Sequence, residues 1–215
     1  MRIPPVTLVV LVAMAIAYFL QGRAGDLATV QFMLWPVGDH TLRIDDAGNF
    51  ITVGFRPWQL VTYALLHGNF MHLLFNALAL FQFGPAVEHA WGGRRFAIYL
   101  LVCVVGAGML QLLVAALAPA GEARPVLGAS GGMYAVLLAY GMLFPKHRLM
   151  LIFPPIPMSA RTMVIVFGAL SLLLGVTGAQ AGVAHFVHLG GMLFGWLLIR
   201  HWRRRPPQDG QSRLV

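Results

Sequence analysis

The sequence predicts an all-α integral membrane protein, with six transmembrane helices and a long, partly structured loop between the first two. Of its 215 residues, 59% are hydrophobic and only 10% are charged, whereas soluble domains carry about 25% charged residues. Apolar runs approaching the roughly 20 residues that cross a ~30 Å hydrocarbon core recur along the whole chain. We therefore expect one membrane domain over 1–205 and a short tail over 206–215.

The residues that interrupt the apolar runs set the predicted helix boundaries. We prefer a retained first helix to a cleaved signal peptide, because the run is long and further membrane segments follow. The outer loop, 22–66, mixes aspartates, prolines and tryptophans and is expected to lie in the membrane interface. Asn69 is a favourable N-cap for the second helix, and no strand alternation is recognised. The predicted helices are 5–21, 69–89, 96–118, 130–144, 162–177 and 184–199.

Positive charge is distributed unequally between the two sides of such a bundle. With the N-terminus in the cytoplasm, eleven basic residues fall inside and four outside, which agrees with the positive-inside rule. The inner residues are Arg2, Arg94, Arg95, Lys146, Arg148, Arg161, Arg200, Arg203, Arg204, Arg205 and Arg213; the outer ones are Arg23, Arg43, Arg56 and Arg124. We therefore expect both termini in the cytoplasm, and no nucleic-acid partner despite the formal charge of +8. We also expect the membrane to be a prokaryotic-type plasma membrane.

Four polar side chains from three predicted helices lie at similar depths. Ser130 and His72 each lie sixteen residues, or about 24 Å, from the charged residue at the cytoplasmic end of their helix. Asn76 and His188 each lie twelve residues, or about 18 Å, from that end. Polar groups are costly inside a membrane, so a cluster at one depth indicates function.

The predicted fourth helix, which begins at Ser130, is short for a membrane span. Fifteen residues cover about 22 Å of a ~30 Å core, so Ser130 would lie below the outer surface and the preceding loop would dip inward. Irregular backbone at that depth requires surrounding protein or a water-filled cavity. Water at Ser130 would permit hydrolysis within the membrane.

These residue types favour nucleophilic catalysis, and we expect no cofactor. Ser130 needs a base within hydrogen-bonding reach, and His188 is the best-placed imidazole. His72 and Asn76, four residues apart on one helix face, and the backbone N–H of Ser130 are candidate oxyanion donors. No Asp or Glu shares this depth, so we infer a Ser–His dyad. Small residues that would let the fourth and sixth helices approach closely are Gly131, Gly132, Gly191 and Gly195.

Other residues have structural as well as functional interpretations. Tyr134, one turn after Ser130, is either a core residue or a stacking partner for His188. His67 and His185 are expected to make structural interhelical bonds, although His185 is a competing candidate for the base. Asn76 is alternatively an interhelical packing residue.

Glu88 lies close in sequence to Arg94 and Arg95, and we interpret it as an ion-pair residue or a topological signal. The Gly128-Ala-Ser-Gly-Gly132 stretch also matches the elbow of soluble hydrolases, but that elbow follows a strand, which an all-helical chain does not supply.

Taken together, these motifs resemble the rhomboid family of intramembrane serine proteases. The resemblance runs from about 58 to 195 and rests on four groups of residues in the family order. They are His67-Gly-Asn-Phe-Met-His72-Leu-Leu-Phe-Asn76, Gly84-Pro-Ala-Val-Glu88, Gly128-Ala-Ser130-Gly131 with Tyr134, and His188-Leu-Gly-Gly191-x-x-x-Gly195.

The resemblance implies a six-helix rhomboid-like bundle, a Ser130 nucleophile with a His188 base, and His72 and Asn76 beside the oxyanion. It further implies cleavage of peptide bonds in or near transmembrane segments of other proteins, which come in laterally from the membrane lipid. The predicted fifth helix and the segment 178–183 would be gate and cap. The pattern makes no prediction of oligomeric state.

One departure and two rival functions accompany this resemblance. Many members carry Trp-Arg in the outer loop, where this chain has Trp58-Gln59, which would alter the anchoring of the loop. The first rival is a non-enzymatic metal-binding or transport protein, and the second is an inactive rhomboid-like binding protein. The metal-binding rival would use His67, His72, His185 and His188.

Overall fold

The computed structural model describes residues 2–43, 48–118, 124–150, 155–177 and 184–204. These residues are mostly helical. Their elements are α1 (Pro5–Val30), β1 (His40–Arg43), β2 (Phe50–Val53), α2 (Gln59–Thr62), a 3₁₀ turn (Tyr63–Leu65), α3 (Phe70–Trp91), α4 (Gly93–Leu117), α5 (Ser130–Leu143), β3 (Arg148–Met150), β4 (Pro157–Ser159), α6 (Ala160–Thr177) and α7 (His185–Arg204).

Four of these helices are long and apolar enough to cross a membrane: α1, α3, α4 and α6. The α5 helix is apolar but only 14 residues long, and α7 ends in a basic turn. The chain is therefore a multi-pass membrane protein. That six helices cross the membrane remains a prediction from the sequence.

The first helix corrects the predicted boundary at residue 21, because α1 continues to Val30 with a kink at Gly25 (φ 78°, ψ 174°). A glycine adopts such a positive φ without steric cost. The residues after the apolar run are therefore helical up to Val30. Gln21 joins α1 to the segment before α3: its Nε2 donates to the His67 carbonyl at 3.0 Å, and its Oε1 accepts from the His67 N–H at 3.1 Å.

Two short antiparallel hairpins correct the prediction of a chain without strands. β1 pairs with β2 through His40–Val53 and Arg43–Phe50, and β3 pairs with β4 through Arg148–Ser159. Strands of three or four residues contain too few side chains for the alternation to stand out from a loop. The outer loop is thus partly structured.

Gln59 holds the outer loop together and is only 1% exposed. Its Oε1 accepts hydrogen bonds from the N–H groups of Trp35 and Arg56, each at 3.2 Å. Its Nε2 donates to the carbonyls of Gln31 at 3.1 Å and Gly54 at 3.2 Å. The residue that departs from the family pattern therefore anchors the loop through four backbone groups.

We expect Gln59→Leu to lower the free energy of unfolding by about 2–4 kcal/mol, because the N–H groups of Trp35 and Arg56 and the Gly54 carbonyl lose their Gln59 partner. Chemical denaturation in detergent micelles measures this. The matched control is Gln111→Leu, since the buried Oε1 of Gln111 has no hydrogen-bonding partner among the described residues. Equal unfolding free energies for the two variants would contradict the anchoring role of Gln59.

The N-cap prediction for α3 is confirmed: the Asn69 side chain accepts a hydrogen bond from the His72 N–H at 2.8 Å. The helix ends at Trp91, where Gly92 with φ 80° begins the turn into α4.

Glu88 corrects its interpretation as an ion-pair residue. It is 2% exposed, and its carboxylate accepts hydrogen bonds from the Val6 N–H (2.9 Å), the Thr7 N–H (2.7 Å) and the Thr7 hydroxyl (2.8 Å). The first N–H groups of a helix lack intrahelical acceptors and carry positive partial charge. Glu88 therefore caps α1 from the last turn of α3 and joins the two helices at one end of the bundle.

The last helix, α7, continues to Arg204 rather than ending at 199, because its extra turn packs. Trp202 lies edge-on to Trp91, with ring centroids 5.6 Å apart, and the Arg95 guanidinium lies 5.9 Å from the Trp202 ring centroid. These contacts fix the end of α7 against α3 and α4.

Close approach of α5 and α7 depends on two of the four predicted glycines. A Cβ added to Gly191 would overlap the Gly131 carbonyl oxygen, and a Cβ added to Gly131 would lie 2.7 Å from Val187 Cγ1 of α7. The two helix backbones are therefore in direct contact beside Ser130, the first residue of α5.

The other two glycines face α4, which corrects their assignment to the α5–α7 contact. A Cβ at Gly132 would lie 3.1 Å from Val104 Cγ2, and one at Gly195 would collide with the Tyr99 hydroxyl. Tyr99 in turn donates its O–H to the Ala135 carbonyl at 2.7 Å. Glycines thus allow α4 to pack tightly on both α5 and α7.

Candidate active site

Ser130 lies at the N-terminus of α5, where the preceding backbone is held by the outer loop. The Gly128 N–H donates to the Tyr63 carbonyl at 2.8 Å, and Leu34 pairs with Val126 through two backbone hydrogen bonds. Gly128 has φ 124°, and a Cβ there would lie 2.6 Å from the imidazole of His72. The position therefore requires glycine for two reasons, backbone conformation and space.

Ser130 and His188 meet across the α5–α7 contact. The Ser130 Oγ lies 2.8 Å from His188 Nε2, which is the distance of a direct hydrogen bond. His188 is 8% exposed, whereas Ser130 is half-buried. The serine is thus more exposed than the imidazole, which suits a nucleophile and its base.

Tyr134 stacks on the imidazole of His188. The ring centroids are 4.1 Å apart and the planes differ by 4°. Tyr134 lies four residues, about one helical turn, after Ser130, so α5 supplies both the hydroxyl and the stacking ring. The orientation of the His188 ring is therefore restricted on one face.

Replacing Tyr134 tests this stacking. We expect Tyr134→Leu to lower kcat/KM about threefold to tenfold, the effect of losing an aromatic pair of about 0.5–1.5 kcal/mol. Tyr134→Phe keeps the ring and should stay within about threefold of wild type. Steady-state cleavage of a transmembrane test substrate measures both variants. An equal loss of kcat/KM in the two variants would show that stacking of the Tyr134 ring on His188 does not contribute to catalysis.

Of the two predicted oxyanion side chains, His72 lies close to the backbone before Ser130, and Asn76 bonds the backbone of His72. The His72 ring is half-buried and lies against Gly128, two residues before Ser130. The Asn76 Nδ2 donates to the His72 carbonyl of its own helix at 3.0 Å, which leaves its second N–H as the one available to a ligand. The first N–H groups of α5, including that of Ser130, lack intrahelical acceptors.

The remaining predicted histidines form two ring pairs rather than one cluster. His67 packs edge-on to His72 (5.1 Å between centroids) and His185 packs edge-on to His188 (5.8 Å). His67 Nδ1 bonds only the nearby Leu65 carbonyl, and both ring nitrogens of His185 lack partners among the described residues. The interhelical bonds expected for these two side chains are thus not observed in the described part of the chain. Burial, followed by the neighbouring His72, lowers the pKa of His67 to about 4, so its ring is neutral near pH 7.

In the ranges that the structure describes, no three His, Cys, Asp or Glu side chains are grouped as metal ligands. The segment proposed as a cap, 178–183, lies outside the described residues, as do residues 205–215 of the tail.

Ser171 of α6 was not predicted from the sequence. Its Oγ lies 3.4 Å from His188 Nδ1, and the residue is 2% exposed. The available signal was a single polar side chain in the apolar run between Thr162 and Thr177, since polar residues in membrane helices tend to bond neighbouring helices. The sequence did not show which neighbour it would face.

The fold and this site define a class: a multi-pass helical membrane protein that holds a Ser–His pair at the contact of two helices. The Rhomboid domain model matches residues 54–205. The chain therefore belongs to the rhomboid family. It is 29% identical over 151 residues to Rhomboid protein 1, mitochondrial, of Saccharomyces cerevisiae, an alignment that covers 65% of this chain and 41% of the yeast protein.

The yeast relative is mitochondrial by name, so the prediction of a prokaryotic-type plasma membrane gains no support from it. The multi-pass membrane character does not depend on that choice.

Proposed function

We propose that this protein is an intramembrane serine endopeptidase that hydrolyses peptide bonds in or near transmembrane segments of other membrane proteins. The observation that carries the proposal is the 2.8 Å contact between Ser130 Oγ and His188 Nε2 at a helix N-terminus. Membership of the rhomboid family supports the same reaction class.

The proposed chemistry has two halves. Ser130 Oγ attacks the substrate carbonyl carbon while His188 Nε2 accepts the hydroxyl proton. Negative charge that develops on the carbonyl oxygen would be stabilised by the Ser130 backbone N–H and by His72, with Asn76 beside them. His188 then gives the proton to the amine nitrogen as the carbon–nitrogen bond breaks. A water molecule, deprotonated by His188, attacks the acyl-serine ester, and His188 returns this proton to Ser130 Oγ as the ester bond breaks.

The position of Ser130 favours a substrate within the membrane. The α5 helix has 14 residues and spans about 21 Å of a ~30 Å core, so with its far end at the cytoplasmic surface the hydroxyl would lie below the outer surface. Substrates would come in laterally from the lipid, and both termini of this chain would be cytoplasmic. No metal or other cofactor is required by this chemistry.

Cleavage of a transmembrane test substrate in proteoliposomes tests the proposal. We expect wild type to cleave, and Ser130→Ala and His188→Ala to lose at least about 10³-fold of the rate, because His188, and not His185, is the imidazole in contact with the Ser130 hydroxyl. A chelator should leave wild type active. Cleavage by Ser130→Ala that a chelator stops would instead favour metal chemistry, and binding without cleavage by wild type would favour a non-proteolytic rhomboid-like protein.

A further inference from the structure

The geometry points to Ser171 as a positioning residue that holds the His188 imidazole for proton transfer, through a hydrogen bond from Nδ1–H to the Ser171 hydroxyl oxygen. This inference rests on the proposed serine-protease function and adds a third member to the Ser–His pair.

The first step of the argument concerns the tautomer of His188. If Nε2 is to accept the proton of the Ser130 hydroxyl, then Nδ1 must carry the ring hydrogen in the neutral imidazole. A buried N–H without an acceptor is costly. The tautomer needed for catalysis is therefore favoured only if an acceptor lies at Nδ1.

The second step identifies the acceptor. Within the described ranges, the Ser171 hydroxyl is the group at hydrogen-bonding distance from Nδ1, at 3.4 Å. This is a long hydrogen bond. Ser171 Oγ also lies beside the Tyr134 hydroxyl, which gives the serine's own hydrogen a neighbouring acceptor. The hydroxyl can thus accept from His188 while it donates elsewhere.

The third step is that the contact is a specific feature of α6. Only three residues of this 18-residue helix are buried, and Ser171 is the polar member. The residues around Ser171 in α6 are apolar. One of them, Phe167, contacts the Tyr134 ring, with 6.3 Å between the ring centroids. Burying the Ser171 hydroxyl without a hydrogen-bonding partner would cost free energy. Its burial beside the His188 imidazole therefore favours a hydrogen bond between the two.

The same constraint acts later in the reaction. When His188 holds the proton taken from Ser130, both ring nitrogens are donors, and the charge on the ring is stabilised by an acceptor at Nδ1. Stacking by Tyr134 fixes the ring plane but provides no such acceptor. The two contacts therefore have separable effects, on ring tilt and on ring charge.

The test compares a matched pair at one position, Ser171→Thr and Ser171→Val, which differ by a hydroxyl against a methyl group. The readout is the rate at which a small fluorophosphonate labels Ser130 in the purified full-length protein, because this probe does not require a transmembrane substrate to bind. We expect the valine variant to label about tenfold more slowly than the threonine variant. In cleavage assays the same factor should appear in kcat and not in KM.

The controls separate a positioning role from packing. Ser159→Ala removes a hydroxyl from the start of α6 that bonds Thr162 and not His188, and should label at the wild-type rate. If wild type labels at Ser130 and the threonine and valine variants label at equal rates, whether fast or slow, the positioning role of Ser171 is wrong. The proposed function is not affected by that result. If wild type does not label at Ser130, the proposed function itself fails, and this inference fails with it.

Discussion

Gly191→Ala is expected to remove at least about 10²-fold of the proteolytic rate, because a displacement of about 1 Å at a catalytic pair has an effect of that size. The new Cβ would occupy the position of the Gly131 carbonyl oxygen. That atom belongs to a helix backbone and cannot rotate away. The α5 and α7 helices would have to separate, and the 2.8 Å contact between Ser130 and His188 would lengthen with them.

Fluorophosphonate labelling of Ser130 and substrate cleavage both measure this effect, and the variant should also lose about 1–3 kcal/mol of stability through overpacking. The matched control is Gly168→Ala on α6, where the added Cβ would meet only the flexible end of Met192 at 3.2 Å. That variant should stay close to wild type. Full activity in Gly191→Ala would show that the helix contact does not set the geometry of the pair.

Glu88→Ala is expected to lower the free energy of unfolding by about 3–5 kcal/mol, because three hydrogen-bond donors lose one shared charged acceptor. Three hydrogen bonds end on this carboxylate, two of them from the first backbone N–H groups of α1. Without Glu88 those groups are left in an environment that offers water little access. The start of α1 should separate from the end of α3 before the rest of the bundle unfolds.

Two further variants separate the contributions of this cap. Thr7→Val removes one of the three bonds and should cost about 1–1.5 kcal/mol. Glu88→Gln keeps one acceptor oxygen but loses the charge that favours the helix N-terminus, and should lie between the two. Chemical denaturation in mixed micelles ranks them. If Glu88→Ala is no less stable than Thr7→Val, the capping account is wrong.

The depth of the candidate site could be predicted from the sequence, because a membrane-spanning helix has a known length and polar residues within it are costly. Counting residues from the charged helix ends placed Ser130 and His188 within about one turn in depth, and they lie in contact. The short length of α5 followed from its start at Ser130 and from Pro145 and the charged residues that follow it. The Asn69 cap followed from local side-chain chemistry, which does not depend on the rest of the fold.

The missed features depend on how helices rotate about their axes, which depth counting does not fix. Gly132 and Gly195 were assigned to the α5–α7 contact but face α4, and the partner of Ser171 could not be identified for the same reason. Glu88 was paired with the nearest charges in the sequence, although its true partners are backbone N–H groups about eighty residues away. Partners far apart in the chain are set by tertiary packing.

The most direct test of the central claim is to map the fluorophosphonate adduct by mass spectrometry on the purified protein in micelles. The account predicts one adduct on Ser130, absent from Ser130→Ala and strongly reduced in His188→Ala, with labelling and substrate cleavage lost together. Cleavage that persists in Ser130→Ala, with no adduct at residue 130 of wild type, would contradict it.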